Sequence, residues 1–336
     1  MYLGAASCIS FQDTFGNENL PKDWDRLWNS LVEINAETQL IQPDYKEFVS
    51  PAALRRMSTV LKMGAAAGKS CLQQAGLENC DAITVGTGLG CVRDTLKFLK
   101  AVYEDGEGGL SPTAFIQSTH NSIAGQLALM LGNHGYNMTH VQGALSLGYA
   151  LSDAELLIGE GDAKTVLVGA VDEKTDELVE LLSKLSEKAD YKLPVVGEGG
   201  AFFLASKEKL SSSVAKMVSL SMTNATFVPK KIGTPPLFTG GAGALIQDWN
   251  EAQLPSLKGG VGGGLDLVLS NTNEGFNYTQ FSGEHFTSIG FGLFMALKAF
   301  EAGKVDNGHV SFDNPNRILV HHKLLGQELS ILLEKV

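Results

Sequence analysis

Hydrophobic positions along the chain alternate between strand-like runs and stretches with the spacing of an amphipathic helix. The apolar run AITVGTGLG at 82–90 is followed by a helical pattern from Val92 to Tyr103. The same order returns in TVLVGAV at 165–171, followed by a helical segment at 173–189. Buried strands that alternate with helices predict a largely parallel sheet covered by helices on both faces.

The remaining segments continue this alternation. Residues 1–16 begin with a predicted strand, and residues 51–75 have the pattern of one helix packed on the sheet. GGAFFLA at 199–205 is a glycine-led strand, and the charged KEKLSSS at 207–213 is the predicted linker. Beyond the linker, the pattern predicts strands within 214–226, 265–273 and 325–336, and helices within 240–252 and 289–303.

Length and composition indicate a compact globular protein with two halves. A chain of 336 residues, 44% hydrophobic and 19% charged, has enough apolar side chains for a substantial core. We predict an N-terminal half at 1–206 and a shorter C-terminal half at 207–336, although no residue-level repeat relates them. The net charge of −11 argues against nucleic acid and against anionic membrane surfaces, because both bind clustered cations.

The N-terminal segment and the cysteines indicate the cellular setting. Residues 1–16 lack a cationic start and a long apolar run, so we expect a strand and not a signal peptide. No stretch approaches the roughly 20 apolar residues of a membrane span, and a cytoplasmic location is expected. The four cysteines have no CxxC or CxxH spacing, so the sequence predicts no metal site, disulfide framework or cofactor.

Three ordered motifs carry a resemblance to a known family. SPTAFIQSTHNSIAGQLALMLG at 111–132, SDAELLIGEGDAKTVLVGAVDE at 152–173 and GEGGAFFLAS at 197–206 resemble the β-ketoacyl synthases of the thiolase superfamily. The resemblance implies an α/β thiolase-like fold, in which two similar halves form five αβαβα layers around the active site. It also implies a dimer through the strand and helix next to the nucleophile, here near residues 116–149.

The groups that perform condensation in that family are missing at the matching positions. Aligning the nucleophile's helix places Ala144 where the family has its cysteine. Asn271 or a neighbouring residue replaces one family histidine, and Gly283 stands at the place of the other, with His285 two residues further on. A methyl group cannot form a thioester, and condensation also requires donors to the developing enolate oxygen. In this respect the chain resembles chain length factors of type II polyketide systems and the truncated synthase-like partners of aryl polyene and flexirubin-type systems.

The resemblance therefore implies a non-condensing, chain-length-factor-type subunit in fatty acid or polyene and polyketide biosynthesis. Its expected partners are a catalytic ketosynthase, or a second copy of itself, and an acyl carrier protein. Two alternatives are an acyltransferase or decarboxylase of the same fold, which would use Ser146, His120 or His285, and an acyl-binding or structural interaction protein. The candidate substrate-binding residues are Gln142, Ala144, Ser146, His120, Asn271 and His285.

Some residues also have purely structural interpretations. For His120 and Asn121 the preferred interpretation is that they cap the helix that follows them. His321 and His322 are adjacent on a predicted strand, so they face opposite sides and are expected at the surface or at an interface. Cys91 is expected to be a small buried side chain. The GTGLG turn lacks the complete GxGxxG spacing of a dinucleotide site.

Overall fold

The structure is a computed structural model that describes residues 1–15, 24–105, 110–189, 195–224, 265–272 and 274–336. The helices are α1 (Trp24–Asn29), α2 (Pro51–Leu54), α3 (Thr59–Gln74), α4 (Val92–Asp105), α5 (Pro112–Gln117), α6 (Ser122–Leu131), α7 (Ser146–Glu160), α8 (Asp176–Ala189), α9 (Thr279–Ser282) and α10 (Ile289–Ala302). The strands are β1 (Tyr2–Ile9), β2 (Ala82–Gly86), β3 (Tyr136–His140), β4 (Thr165–Asp172), β5 (Gly199–Ser206), β6 (Ser213–Asn224), β7 (Leu267–Ser270), β8 (Phe276–Asn277), β9 (Lys304–Asp306), β10 (Ser311–Asp313), β11 (Arg317–Leu324) and β12 (Gln327–Lys335).

In the part of the chain that the structure describes, ten strands form one hydrogen-bonded sheet in the order β3-β2-β4-β5-β1-β6-β12-β11-β7-β8. Strands from residues up to 206 occupy one side of this sheet, and strands from residue 213 onward occupy the other. β2 runs parallel to β3 and β4, and β7 runs parallel to β11 and β8. The pairs β4–β5, β5–β1, β1–β6, β6–β12 and β12–β11 are antiparallel.

The expectation of a largely parallel sheet is therefore wrong. A parallel connection requires a crossover of a dozen or more residues, usually a helix. β11 and β12 are joined by a hairpin with Leu324 opposite Gln327, which forces them to be antiparallel. The predicted linker at 207–213 is a short turn that joins β5 to β6, and Ser213 already belongs to β6.

Buried side chains alternate along the strands between separate core clusters. In β4, Val166 and Val168 belong to a central cluster that also contains α7 and α10, whereas Leu167 packs with α3 and α6 on the opposite face. In β11, Val320 belongs to the same central cluster, and Leu319 faces the other way. Helices α7 and α10 thus share one core with strands from both sides of the sheet.

Most predicted elements are confirmed, with one clear exception among the helices. Residues 51–75 form two helices instead of the single predicted one. The Ser50 side chain accepts the N–H of Ala53 and caps α2, the chain turns at Arg55, and α3 begins after Ser58. The predicted helix at 240–252 lies outside the described residues. The division at residue 206 stays a prediction. Within the described residues, every helix is too short or too polar to cross a membrane.

Candidate functional site

The turn between β2 and α4, residues 86–90, is the point where several distant segments meet. A Cβ atom at Gly86 would lie 2.6 Å from the carbonyl carbon of Ser146, and one at Gly88 would lie 2.2 Å from the Cβ of Phe286. Neither spacing leaves room for a side chain. The start of α7 and the loop before α10 therefore approach the backbone of this turn directly.

The segment between β3 and α7 forms an elbow, which we define as the 3₁₀ turn Gly143–Leu145 and the first residue of α7. Ala144 is only 1% exposed. The Ser146 hydroxyl donates towards the carbonyl oxygen of Thr87 at 2.8 Å and accepts the N–H of Gln142 at 2.9 Å. These bonds fix the elbow to the glycine turn, so the hydroxyl of Ser146 has a structural role.

A buried carboxylate joins the glycine turn to the loop that precedes α10. Asp172, at the end of β4, accepts hydrogen bonds from Thr87 Oγ1 at 2.9 Å and from the N–H of Gly88 at 2.8 Å. Its other oxygen accepts the N–H and the hydroxyl of Thr287, at 3.0 and 2.7 Å. Nδ1 of His285 lies 3.7 Å from the same oxygen. Asp172 therefore fixes Thr287 to the turn, and His285, two residues earlier, lies nearby.

A second polar network lies next to His285 and is nearly closed to solvent. Glu284 accepts hydrogen bonds from Asn271 Nδ2 and from the Ser288 hydroxyl, both at 3.0 Å. Nε2 of His322 lies 3.5 Å from Glu284 Oε1, and Nδ1 of His322 lies 2.7 Å from the Tyr278 hydroxyl. The network links the ends of β7 and β11 to the loop before α10.

Burial determines the protonation of this network. It raises the pKa of Glu284 to about 7, although the hydrogen bonds from Asn271 and Ser288 act in the opposite direction. Burial is the main reason that the pKa of His322 is lowered to about 3, and the neighbouring His285 and His321 act in the same direction. His322 is therefore neutral at pH 7, where Glu284 is close to half protonated.

A narrow, mainly apolar pocket of about 30 Å³ lies between the glycine turn, α8 and the β11–β12 hairpin. Glu284 and His285 are among its polar lining residues. Its apolar lining includes Leu89, Leu178, Leu182, Phe286, Leu324 and Leu325.

Comparison with known proteins identifies the family to which this architecture belongs. Residues 26–224, more than half of the chain, match the N-terminal domain of the β-ketoacyl synthases. The chain belongs to the β-ketoacyl synthase family. A 3-oxoacyl-[acyl-carrier-protein] synthase 2 from Vibrio cholerae is 27% identical over 142 residues, which is 40% of this chain and 34% of that protein. The chain thus spans about a third of the length of the curated relative that it matches.

Solved structures of ketosynthases share the whole fold. The ishigamide ketosynthase/chain length factor superposes with a TM-score of 0.69 at 16% identity, covering 100% of this chain and 99% of that one. A type II polyketide acyl-carrier protein in complex with its ketosynthase gives 0.68 at 15% identity, with the same coverage. At these identities the likeness establishes the fold, which is the predicted thiolase-like αβαβα arrangement of two similar halves.

Most of the predicted site residues of this ketosynthase-family chain lie around the glycine turn. Ala144 and Ser146 form the elbow, His285 adjoins Asp172, and His120 packs against Gly90. Asn271 is connected to this group indirectly, because its side chain donates a hydrogen bond to Glu284, the residue before His285. The side chain of Gln142 is exposed.

The structural interpretation of His120 and Asn121 as helix caps is wrong in detail. Asn121 is the N-cap residue of α6, but its side chain forms no capping hydrogen bond, and His120 is exposed. The expectation of surface positions for His321 and His322 is also wrong, since both are buried. They do face opposite sides of β11: His321 bonds Ser330 on β12, whereas His322 belongs to the Glu284 network.

All four cysteines are buried, as expected for Cys91. Burial raises the pKa of Cys8 to about 12 and that of Cys80 to about 11, and it also raises the pKa of Cys71 and Cys91. Thiols with such pKa values carry almost no thiolate at neutral pH.

Sequence reasoning missed Asp172, Glu284 and Gln327, the last of which contacts the elbow. For Asp172 the sequence contains a usable signal, because an acidic residue directly ends a fully apolar strand. An acidic residue at that place either caps a neighbouring element or belongs to a site. Glu284 and Gln327 lie in segments whose pattern carries no comparable signal.

The protonation of Glu284 gives a testable pH dependence. The folded chain binds a proton on Glu284 up to about pH 7, whereas an unfolded glutamate releases it near pH 4.5. The free energy of unfolding therefore falls as pH rises between these values. We expect the free energy of unfolding of Glu284→Gln to lack this fall. Relative to the parent, the variant should therefore become more stable by up to about 3 kcal/mol between pH 4 and pH 8.

Urea unfolding of both chains at several pH values measures this difference. Glu78→Gln, a change at an exposed carboxyl group, is the control and should follow the parent at every pH. A constant difference between the Glu284→Gln variant and the parent would mean that folding does not shift the pKa of Glu284.

Proposed function

We propose that this chain is a non-condensing, chain-length-factor-type subunit that assembles with a cysteine-bearing ketosynthase. The observation that carries the proposal is Ala144, buried at the start of α7 where the family resemblance expects the nucleophile. A methyl group has no lone pair with which to attack a thioester carbonyl. The chain's cysteines are buried elsewhere, so no thiol compensates for this loss.

The surface around β3 supports assembly with a partner chain. β3 is the outermost strand on its side of the sheet, so one edge of its backbone is unpaired within the described residues. Unpaired edges and exposed apolar patches both favour association with another chain. Exposed apolar side chains surround this edge: Phe115, Ile116, Leu129, Tyr136, Met138, Tyr149 and Leu156.

We further propose that the complex handles acyl chains carried by an acyl carrier protein, in fatty acid or polyene and polyketide biosynthesis. Support comes from the similar structures, whose names describe a ketosynthase with its chain length factor and a ketosynthase with its acyl-carrier protein. A ketosynthase partner is favoured over a second copy of this chain, because a homodimer would contain Ala144 at both elbows.

Co-expression with candidate ketosynthases tests the proposal. We expect a one-to-one complex to purify, and the complex to condense acyl and malonyl thioesters. The chain alone should form no product and should gain no acyl mass in intact-protein mass spectrometry, because it has no reactive thiol at the elbow. A stoichiometric adduct within residues 139–151 would contradict the non-condensing role, and failure to pair with any ketosynthase would contradict the partner.

A second candidate is an acyltransferase or decarboxylase of the same fold. The observation in its favour is His285, held beside Asp172 at a pocket, because such an imidazole can donate to a developing negative charge. Release of carbon dioxide from a malonyl thioester by the isolated chain, lost in His285→Ala, would favour this candidate. Tight binding of an acyl chain without turnover would instead favour an acyl-binding protein.

A further inference from the structure

The backbone N–H of Ala144 is already occupied by another part of the chain. It donates a hydrogen bond to Oε1 of Gln327, at 2.8 Å, across 183 positions of sequence. Ala144 lies in the 3₁₀ turn before α7, and the first N–H groups of such a turn have no acceptor within it. In a site built for acyl transfer, such an N–H is free to bind the carbonyl oxygen of a ligand.

The elbow is shaped to admit the amide of Gln327. Gly143 has a φ of +59°, and a Cβ atom there would lie 2.6 Å from Oε1 of Gln327. A side chain at residue 143 would therefore collide with the amide oxygen. The glycine and the glutamine form one fitted contact.

Gln327 is held in place by the β11–β12 hairpin. Leu325 and Gly326 form its turn with φ values of +50° and +81°, the signs of a tight two-residue hairpin turn. Gln327 is also opposite Asn224 of β6, so its backbone lies between two strands. Neighbouring Leu324 and Leu325 line the pocket beside His285. The same hairpin therefore covers the pocket and reaches the elbow.

We propose that Gln327 is a built-in latch: its amide oxygen takes the place of an acyl carbonyl at the Ala144 N–H and keeps this chain's own site closed. While Gln327 accepts the hydrogen bond from the Ala144 N–H, the carbonyl oxygen of an acyl group cannot bind there. The latch depends only on contacts within the chain and is independent of which partner the chain has.

Hydrogen exchange of the Ala144 amide tests the latch directly. Gln327→Met keeps the length of the side chain and removes the amide oxygen, and Gln327→Asn keeps the amide but is shorter by one methylene. We expect either variant to speed exchange at Ala144 about 10-fold, the effect of one net hydrogen bond. Gln327→Glu retains an acceptor oxygen and should leave this amide protected.

Overlapping peptides across residues 141–149 would locate the change by mass spectrometry. Two variants that lose the bond keep the test usable if one of them fails to fold. Glu328→Leu, on the same hairpin, is the control for general loosening and should leave the Ala144 amide protected. Equal protection in the parent, Gln327→Met and Gln327→Asn would overturn the proposal.

A reporter thiol tests whether the latch excludes acyl groups. In an Ala144→Cys background, hexanoyl-coenzyme A can acylate the introduced sulfur: a sulfur–carbon bond forms, the thioester bond breaks, and coenzyme A leaves with the proton. Adding Gln327→Met should speed this acylation by about 10²-fold, the effect of restoring one oxyanion donor. An unchanged acylation rate would show that Gln327 does not close the site.

Discussion

If the proposed assembly with a ketosynthase is right, a Met138→Glu variant is expected to purify as a free chain from cells in which the parent is recovered with a co-expressed ketosynthase. Met138 lies in the middle of β3 and is 41% exposed. If β3 pairs with the partner, a carboxylate at this position becomes buried without a cation. Leaving one charge buried and unpaired at an interface costs about 2–5 kcal/mol, a loss of roughly 30- to several-thousand-fold in affinity.

Leu181→Glu is a matched control for this experiment. Leu181 is 55% exposed on α8, outside the predicted interface, and its replacement also adds one carboxylate. Pull-down from co-expressing cells, followed by sedimentation, should find the partner with Leu181→Glu and not with Met138→Glu. Equal recovery of the partner by both variants would reject β3 as the contact surface.

Gly86→Ala is expected to destabilise the chain by about 3 kcal/mol or more, because it forces a methyl group into the backbone of α7. The added carbon would lie 2.6 Å from Ser146 C and 2.7 Å from Leu147 N. Backbone atoms cannot move away as a side chain can. The elbow would have to shift, and with it the hydrogen bond between the Ser146 hydroxyl and Thr87.

Gly159→Ala makes the same chemical change in a different setting. Gly159 is an exposed residue within α7, and a Cβ atom there would contact nothing within 4 Å. Alanine in a helix is preferred over glycine by about 0.8–1 kcal/mol, so this variant should be more stable than the parent. Urea unfolding would compare the three chains, and a Gly86→Ala midpoint equal to that of the parent would disprove the tight contact.

The local pattern predicted most strands and helices of the first half, because a strand or helix with one buried face repeats its apolar positions regularly. The sequence resemblance predicted the fold, and the structural likeness to ketosynthases confirms it. The parallel character of the sheet was overestimated, since spacing reveals that a segment is a buried strand but not which neighbour it pairs with. β1 illustrates this, because it pairs with β5 and β6 and with no strand that is near it in sequence.

Polar contacts across long sequence separations were the part that could not be predicted. Ala144 and Gln327 are 183 positions apart, and Asp172 and Thr287 are 115 apart. Neither pair has a pattern that singles out its partner among many polar residues. The burial of His322 was missed for a related reason, because β11 lies between β12 and β7 and is covered on both faces only in the assembled sheet.

The central position of β1 also has a consequence for how the chain is made. β1 bridges the sheet, with Tyr2 opposite both Ser206 and Lys216. At about 5–20 residues per second, a ribosome needs on the order of ten to forty seconds to deliver those neighbours. During that time the apolar β1 has neither of its strand neighbours. β1 must therefore wait for residues made much later before it can join the two sides of the sheet.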